Sequence, residues 1–279
     1  MPADEIMTGG SELSVIIPKY WSATWFDVLL SAIVFQDCIS QDYQGEIANL
    51  GDTVNVTQFP EFDDAYEFQE NEAVPADSVT PSQIQLIVNK RVAKDFIITN
   101  QAVIQGLDAQ MKLRDLAFYS IMKRMQAIII ANTVAKPTTH ALSYTSGTTL
   151  ALADFLAVKE ALDTSDVPDA NRFSVHGAAQ WNDFWNITGF TSRDYIPGSD
   201  MNSSGSLPGR LLGFLPKLTT AAANTSYFFH RTYMQMAVQK NPMPKVYDKG
   251  GDGVRALRVN MDVLFGVKQF DNERVATLG

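Results

Sequence analysis

The stretches GDTVNVTQF (residues 51–59) and IQLIVNKRVAKDFII (residues 84–98) decide the architecture of this chain. Both are rich in β-branched and aromatic residues, which is typical of strands. Gly51 marks a turn before the first stretch, and a long helical pattern follows the second one. We therefore predict a strand at 52–59, a returning β run at 84–98, and an unusually long connection between them.

That connection is strongly acidic. Residues 59–89 hold seven acidic side chains and no lysine or arginine; the acidic residues are Glu61, Asp63, Asp64, Glu67, Glu70, Glu72 and Asp77. A structureless loop longer than about 12–15 residues is uncommon inside a compact domain. If its two halves pair as an extended hairpin, about 12 residues per arm at roughly 3.3 Å each reach near 40 Å. Such an arm would extend beyond the globular part of its own subunit. The segment therefore indicates a role in assembly more strongly than a role in catalysis.

Composition narrows the class of protein. The chain has 279 residues, 46% hydrophobic and 19% charged, which suffices for a full core in one large domain or two intertwined ones. Most of the net charge of −9 comes from the acidic segment. This balance argues against binding a nucleic-acid backbone through bulk charge. One cysteine excludes an intrachain disulfide and fits a reducing compartment. No apolar run approaches a membrane span, and residues 1–14 lack the basic region of a signal peptide.

The longest helix is predicted at 108–133. Its apolar spacing is carried by Met111, Phe118, Ile121, Met122, Met125, Ile128 and Ile129. Its polar positions include Lys112, Arg114, Lys123 and Arg124, with only Asp115 against them. About 26 residues at 1.5 Å each make a rod of roughly 39 Å. The rod and the acidic arm are candidates for a complementary pair, and a simply solvated helix face is the alternative.

A second helix is predicted at 20–40, after a short N-terminal arm. Trp21 and Trp25 lie on one stripe with Leu29 and Ile33. The tryptophans fit either a core or an anchor on a neighbouring subunit, and the spacing does not decide between them. Cys38 falls in this run, where a buried, unreactive thiol is expected.

After Pro137 the pattern changes to that of an α/β unit. A linker at 138–149 leads into a predicted helix at 152–163, a strand at 172–176, a helix at 178–185 and, beyond a polar loop at 188–210, a strand at 227–230. The last third alternates as strands do, at 255–261, 263–267 and 275–278.

Catalytic and metal-binding motifs are missing from the sequence. There is no nucleophile elbow, phosphate-binding loop, dinucleotide fingerprint or paired-cysteine motif. His140, His176 and His230 lie far apart without carboxylates at ligand spacing. Residues 248–253 (DKGGDG) suit a glycine-rich turn better than a calcium loop. We expect no enzyme, no cofactor and no metal site.

The order of these parts resembles the major capsid proteins of tailed bacteriophages, which share the Hong Kong 97-type fold with encapsulins. The residues that carry the resemblance are GDTV at 51–54, the return at 84–100, the helix through Ala131, RFSV at 172–175 with the following helix, GRLLGF at 209–214, YFFH at 227–230, and 265–278. The likeness covers about residues 20–278.

The resemblance implies an α+β fold with an N-terminal arm, an extended β-hairpin loop, a peripheral domain with a long spine helix, and an axial α/β domain. It places the arm and first helix at 1–40 and the extended loop at 60–83. The peripheral domain would hold 41–59, 84–140 and 241–267, and the axial domain 141–240 and 268–279.

The implied function is a coat protein that forms hexamers and pentamers and closes an icosahedral shell around double-stranded DNA in the host bacterial cytoplasm. Some relatives are welded by an isopeptide bond from an extended-loop lysine, which this loop lacks. Because the fold begins near residue 20, assembly is expected either with a separate scaffolding protein or without one. A portal and a decoration protein are further expected partners. The sequence also permits an encapsulin-type compartment, or an α/β ligand-binding protein or enzyme with an acidic lid.

Overall fold

A computed structural model describes residues 33–47, 51–62, 64–67, 70, 73, 76, 78–99, 109–135, 139–145, 147, 149–191, 209–222, 224–248 and 256–279. The strands are β1 (Thr53–Gln58), β2 (Ser82–Ile87), β3 (Lys90–Thr99), β4 (His140–Leu142), β5 (Arg172–His176), β6 (Leu215–Leu218), β7 (Ser226–His230), β8 (Met234–Lys240), β9 (Lys245–Asp248), β10 (Ala256–Gln269) and β11 (Val275–Leu278). The α-helices are α1 (Phe35–Cys38), α2 (Gln44–Ile47), α3 (Ala109–Ala135), α4 (Leu152–Thr164), α5 (Ala178–Asp183) and α6 (Thr188–Thr191). Among the described residues, 3₁₀ turns lie at Phe184–Asn186 and Arg231–Tyr233. The fold is a mixed α+β fold, as predicted.

Strands β1 and β2 form an antiparallel hairpin whose ladder is separate from those of the two larger sheets. The ladder runs from the pair Thr53–Ile87 to the pair Gln58–Ser82. Beyond it, the described residues between 59 and 81 form no strand. The predicted hairpin therefore exists, but its paired part covers its base rather than the acidic excursion.

The prediction of a single β run at 84–98 is wrong, because this stretch is divided between the two strands β2 and β3. The break falls at Val88 and Asn89, where the Val88 amide donates to the Asp52 carbonyl at 2.7 Å. The chain crosses Gly266 of β10 at this point, where an added Cβ would overlap the Ile87 carbonyl oxygen. Strand β2 thus belongs to the hairpin and β3 to the next sheet.

The second sheet is built around the 14-residue strand β10. Strand β3 pairs antiparallel along one edge of β10, and β8 and β9 follow one another along the other edge. The sequence predicts two strands at 255–261 and 263–267, whereas the structure has one continuous strand. Pro242 and Pro244 separate β8 from β9, because proline has no amide to donate to the ladder.

Helix α3 packs on one face of this sheet and matches the helix predicted at 108–133. Ala117, Ile121, Met125 and Ile129 are buried, and they share a core with Met261, Val263 and Phe265 of β10. Burial of each isoleucine or methionine side chain contributes about 1.5–3 kcal/mol. Gln126 accepts from the Val34 amide at 2.8 Å and donates to Thr219 Oγ1 at 3.0 Å. The helix therefore connects the four-stranded sheet to the segment before α1, through Val34, and to the segment after β6, through Thr219.

A third, five-stranded sheet has the order β4-β11-β7-β5-β6. Its core is rich in aromatic rings, with Phe155 of α4 packed against Phe184, Phe190 and Phe228. Strand β4 lies inside the stretch predicted as a linker at 138–149 and pairs parallel to β11. Because β4 has three residues, its sequence carries no periodic signal.

One predicted boundary separates strands that are paired. Strand β8 pairs with β10 in the four-stranded sheet, whereas the division at residue 240 assigned it to the axial domain. The division into peripheral and axial domains remains a proposal.

Most of the helix predicted at 20–40 lies outside the described residues, including Trp21 and Trp25. Its described end is α1, in which Cys38 is 1% exposed. Burial raises the pKa of the Cys38 thiol to about 11, so the thiol stays protonated at neutral pH. The expectation of a buried thiol is confirmed. None of the described helices is long and apolar enough to cross a membrane.

Candidate assembly surfaces

The hairpin positions the acidic segment away from the subunit body. At its base Val54, Leu86 and Val88 are buried against Ala237 of β8. Toward its far end Thr57, Gln58 and Ser82 are exposed. The base is therefore fixed by apolar packing while the far end projects into solvent.

Exposed aromatic rings alternate with the acids beyond the hairpin. Phe59, Phe62 and Tyr66 are 71%, 69% and 61% exposed. The acidic residues Glu61, Asp64, Glu67 and Glu70 are exposed too, while Asp63 and Glu72 lie outside the described residues. Large exposed apolar groups that cluster mark interaction sites. The prediction for this segment rested on its charge, although the spacing of the rings among the acids is also visible in the sequence.

The basic residues predicted on the long helix are exposed but do not share one face. Lys112 and Lys123 are eleven positions apart and lie on the same side, at 3.6 residues per turn. Arg114 is two positions from Lys112 and Arg124 one from Lys123, so they point to other sides. Pairing of this helix with the acidic segment of a neighbour stays a prediction. The positive charge of the helix is spread over several of its sides and does not form one basic face.

The apolar face predicted for this helix is wrong at its first turns. Met111 is 52% and Phe118 43% exposed, as are Leu113 at 41% and Leu116 at 38%. Every described side chain before Ala117 in this helix is exposed, so packing against the sheet begins at Ala117. The first turns thus present apolar and basic groups together.

The face of the four-stranded sheet opposite the helix carries a charged cleft. Its volume is about 480 Å³, and its lining residues come from β3, β8, β9 and β10: Arg91, Lys240, Lys245, Tyr247, Asp248, Arg258, Asn260 and Asp262. Side chains alternate between the faces of a strand. Since Val92 and Phe96 pack toward the helix core, Arg91 points to the open face.

Two carboxylates hold the cations of this cleft in place. Asp262 is 5% exposed and pairs with both Lys240 and Arg91, the latter at 2.8 Å. The hydrogen bond from Lys240, with Arg91 beside it, lowers the pKa of Asp262 below its ordinary value. Arg258 Nε donates to Asp95 Oδ2 at 2.6 Å, which lowers the pKa of Asp95. This cleft is not visible in the sequence, because strand pairing brings Arg91 of β3 next to residues of β8, β9 and β10 that lie about 150 or more positions later.

A smaller cleft of about 280 Å³ lies where the hairpin meets the body. The rings of Tyr43 and Phe270 are 5.7 Å apart at its wall. Gln235 is 5% exposed, and its side-chain oxygen accepts no hydrogen bond from the described residues. Val56 and Ile84 of the hairpin line one side of this cleft, and Gln235 and Phe270 line the other.

The three histidines are dispersed, each beside a hydroxyl group. His140 contacts Ser165, His176 contacts Ser226 at 2.9 Å, and His230 contacts Thr232 at 2.9 Å. Burial lowers the pKa of His176 to about 3, so it is neutral. In the described ranges, no three histidine, cysteine or acidic side chains converge as metal ligands.

Similarity to known proteins is structural. No protein-family model matches the sequence, and no curated protein does. A structure from Mycobacterium phage Che8 is similar with a TM-score of 0.73 at 17% identity, covering 94% of this chain and 97% of that one. The capsid structure of cyanophage P-SCSP1u has a TM-score of 0.74 at 10% identity, covering 97% and 94%. The capsid of a native GTA particle has a TM-score of 0.70 at 13% identity, covering 96% of both chains.

These likenesses extend over nearly the whole of each chain. The chain has the fold of phage major capsid proteins, which confirms the resemblance read from the order of its parts.

Proposed function

We propose that this protein is the major coat protein of a phage-type shell, which assembles through hexamers and pentamers into an icosahedral capsid around double-stranded DNA. The observation that carries the proposal is the segment beyond the projecting hairpin. Its exposed rings and carboxylates have no partner surface in their own subunit among the described residues. The capsid-like fold supports the same conclusion.

Assembly in this proposal is non-covalent. The extended segment holds no lysine for an isopeptide bond, so the shell is stabilised by burial of apolar groups between copies. Exposed ion pairs contribute only about 0–1 kcal/mol each. Charge therefore sets register and orientation, while Phe59, Phe62 and Tyr66 supply apolar area.

The shell would form in the bacterial cytoplasm and become the virion capsid. Scaffolding, portal and decoration proteins are the expected partners, and the enclosed DNA needs no sequence-specific contact. The protein acts structurally and not as an enzyme.

Electron microscopy of the purified protein tests the proposal. Capsomers or closed shells are expected. A particle of 30.8 kDa at every concentration and salt would contradict it and favour a ligand-binding protein or enzyme with an acidic lid. Shells that package enzyme cargo instead of DNA would favour the encapsulin-type compartment.

A further inference from the structure

Three buried side chains at the end of strand β5 and the start of helix α5 carry polar atoms that have no hydrogen-bond partner among the described residues. These atoms are Ser174 Oγ, His176 Nε2 and both amide atoms of Gln180. All three residues are 0% exposed. Buried polar atoms of native proteins are nearly always hydrogen-bonded, either to the protein or to ordered water. A group of such atoms in one part of the core therefore indicates a bound molecule.

The strand and the helix bring these residues to one side of the five-stranded sheet. Ser174 and His176 are two positions apart in β5, so their side chains lie on the same face. Gln180 lies four positions before Phe184, and the two therefore share one side of the helical segment that begins at Ala178. The Phe184 ring packs edge-on against the His176 ring, with the centroids 4.9 Å apart. Gln180 thus projects toward the same region of the core as His176.

The hydroxyl groups beside His176 determine which of its ring nitrogens carries the proton. Burial lowers the pKa of His176 to about 3, so the ring is neutral and one nitrogen donates while the other accepts. Ser226 Oγ lies 2.9 Å from His176 Nδ1 and 3.0 Å from the Tyr144 hydroxyl. If Tyr144 donates to Ser226 and Ser226 donates to Nδ1, each of these protons has an acceptor. The reverse direction leaves the Tyr144 proton without an acceptor among the described residues. His176 Nε2 is therefore an N–H donor.

We propose that this part of the core is a buried water-binding site. One water accepts a hydrogen bond from His176 Nε2 and donates to the side-chain oxygens of Gln180 and Ser174. A buried water typically makes about three hydrogen bonds, and these atoms supply that number. The amide nitrogen of Gln180 donates to a second water of the same site. The waters would join strand β5 to helix α5, and the inference concerns the folded subunit whether or not it assembles.

The surroundings favour water over an ion. The rings of Phe155, Phe184 and Phe228 have their centroids 5.9, 4.9 and 5.2 Å from that of His176, so the wall around these polar atoms is apolar. Transfer of an unpaired charge into such a place is costly. In the described ranges, no three metal-ligating side chains converge here or elsewhere. The site therefore suits a small neutral molecule that both donates and accepts hydrogen bonds.

A map of the full wild-type chain, at a resolution that shows ordered water, tests the proposal directly. Crystallography or electron microscopy should show a density peak within about 3.2 Å of His176 Nε2. The same peak should lie within hydrogen-bond distance of Gln180 or Ser174. A direct hydrogen bond from His176 to Gln180, with no peak between them, overturns the proposal. A site without any peak overturns it too.

The position of the proton on His176 gives a second measurement. The chain has three histidines, so ¹⁵N-histidine labelling of the subunit gives few ring signals, and His176→Gln identifies those of His176 by their loss. At neutral pH the nuclear magnetic resonance spectrum should show the tautomer that is protonated at Nε2. A ring that is protonated at Nδ1 would overturn the proposal, because Nε2 would then have no proton to donate.

The sign of a stability change separates a hydrated site from a dry one. Gln180→Met should raise the equilibrium constant of unfolding about 5- to 30-fold, because the bound water loses a partner. In a dry site the same change would remove unpaired polar atoms and lower the constant. The matched control is Gln83→Met on β2, which is exposed and should change the constant less than about three-fold. An unchanged or lowered constant for Gln180→Met overturns the proposal. The density map uses the wild-type chain and decides the question even if this variant does not fold.

Discussion

Gly266 lies directly against Ile87, and the contact leaves no room for a side chain. A Cβ at position 266 would overlap the Ile87 carbonyl oxygen and come within 2.9 Å of Val88 Cα. Backbone atoms cannot move aside as a flexible side chain can. This contact sets the height at which the hairpin crosses the four-stranded sheet.

Gly266→Ala is expected to lower the free energy of unfolding by about 1–3 kcal/mol, the usual range for overpacking. The hairpin must lift or β10 must shift to admit the methyl group. Urea unfolding of the unassembled subunit measures the change. Gly45→Ala is the matched control, since nothing lies within 4 Å of its Cβ and it stands in helix α2. It should leave stability unchanged or raise it by less than about 1 kcal/mol. Equal stability of the two variants would contradict the role of Gly266.

His176 should make the subunit less stable in acid. Its folded-state pKa is lowered to about 3 by burial, while the unfolded chain takes up a proton near pH 6.5. Its stabilising effect is therefore complete above pH 6.5 and is lost as the pH falls toward 3. The loss amounts to about 2 kcal/mol at pH 5. The free energy of unfolding of His176→Gln should depend less on pH across this window, and parallel curves for the two proteins would refute the assignment.

Arg172 is a buried cation that holds a turn through carbonyl groups. It is 1% exposed; Nη1 donates to Asp163 at 2.7 Å, Nε donates to the Pro168 carbonyl at 3.0 Å, and Nη2 donates to the Val167 carbonyl. Arg172→Lys should cost about 2–3 kcal/mol of unfolding free energy, since one ammonium cannot serve all three acceptors. Asp163→Asn should cost less than about 1 kcal/mol, because that carboxylate is half-exposed. Chemical denaturation of both variants checks the order, and a larger loss for Asp163→Asn would reverse the explanation.

The acidic segment should matter for assembly and not for folding. Neutralising Asp63, Asp64 and Glu67 together is expected to abolish shells or make them irregular, with an unchanged urea midpoint for the subunit. Electron microscopy and sedimentation of the variant measure this. The control Glu160→Gln/Asp166→Asn/Glu273→Gln changes the net charge equally at other surface positions. Shells at the wild-type yield from the first triple variant would show that the charge of the segment is dispensable.

The elements with strong periodicity were predictable from sequence. Helix α3, β1, β5 and β7 lie within one or two residues of their predicted ranges, because each has a long or strongly apolar pattern. The order of these elements was enough to indicate the fold. The exposed rings Phe59 and Phe62 were visible as letters, but their exposure follows from the projecting hairpin.

The misplaced features depend on contacts between distant residues. The residues near Ile87 carry no local signal for the break between β2 and β3. The break lies where the chain crosses Gly266 of β10, which is distant in the sequence. The open-face cleft joins Arg91 to Lys240 and Asp262 through strand pairing, which a local pattern does not encode. Met111 was predicted on the buried face because its spacing places it on the apolar side of the helix. Periodicity does not show along how many turns that side is covered by the sheet, and Met111 lies beyond the covered part.

Only Val88 and Asn89 separate the strand that carries the projecting segment from the strand that carries Arg91. A pull on the segment of one subunit is therefore transmitted through two residues of backbone to the sheet face of that same subunit. In the proposed shell, a load on the segment would therefore reach the sheet of its own subunit along covalent chain, with little flexible linker between. Mechanical strength of the shell would then depend on the backbone at this short junction as much as on the contacts between subunits.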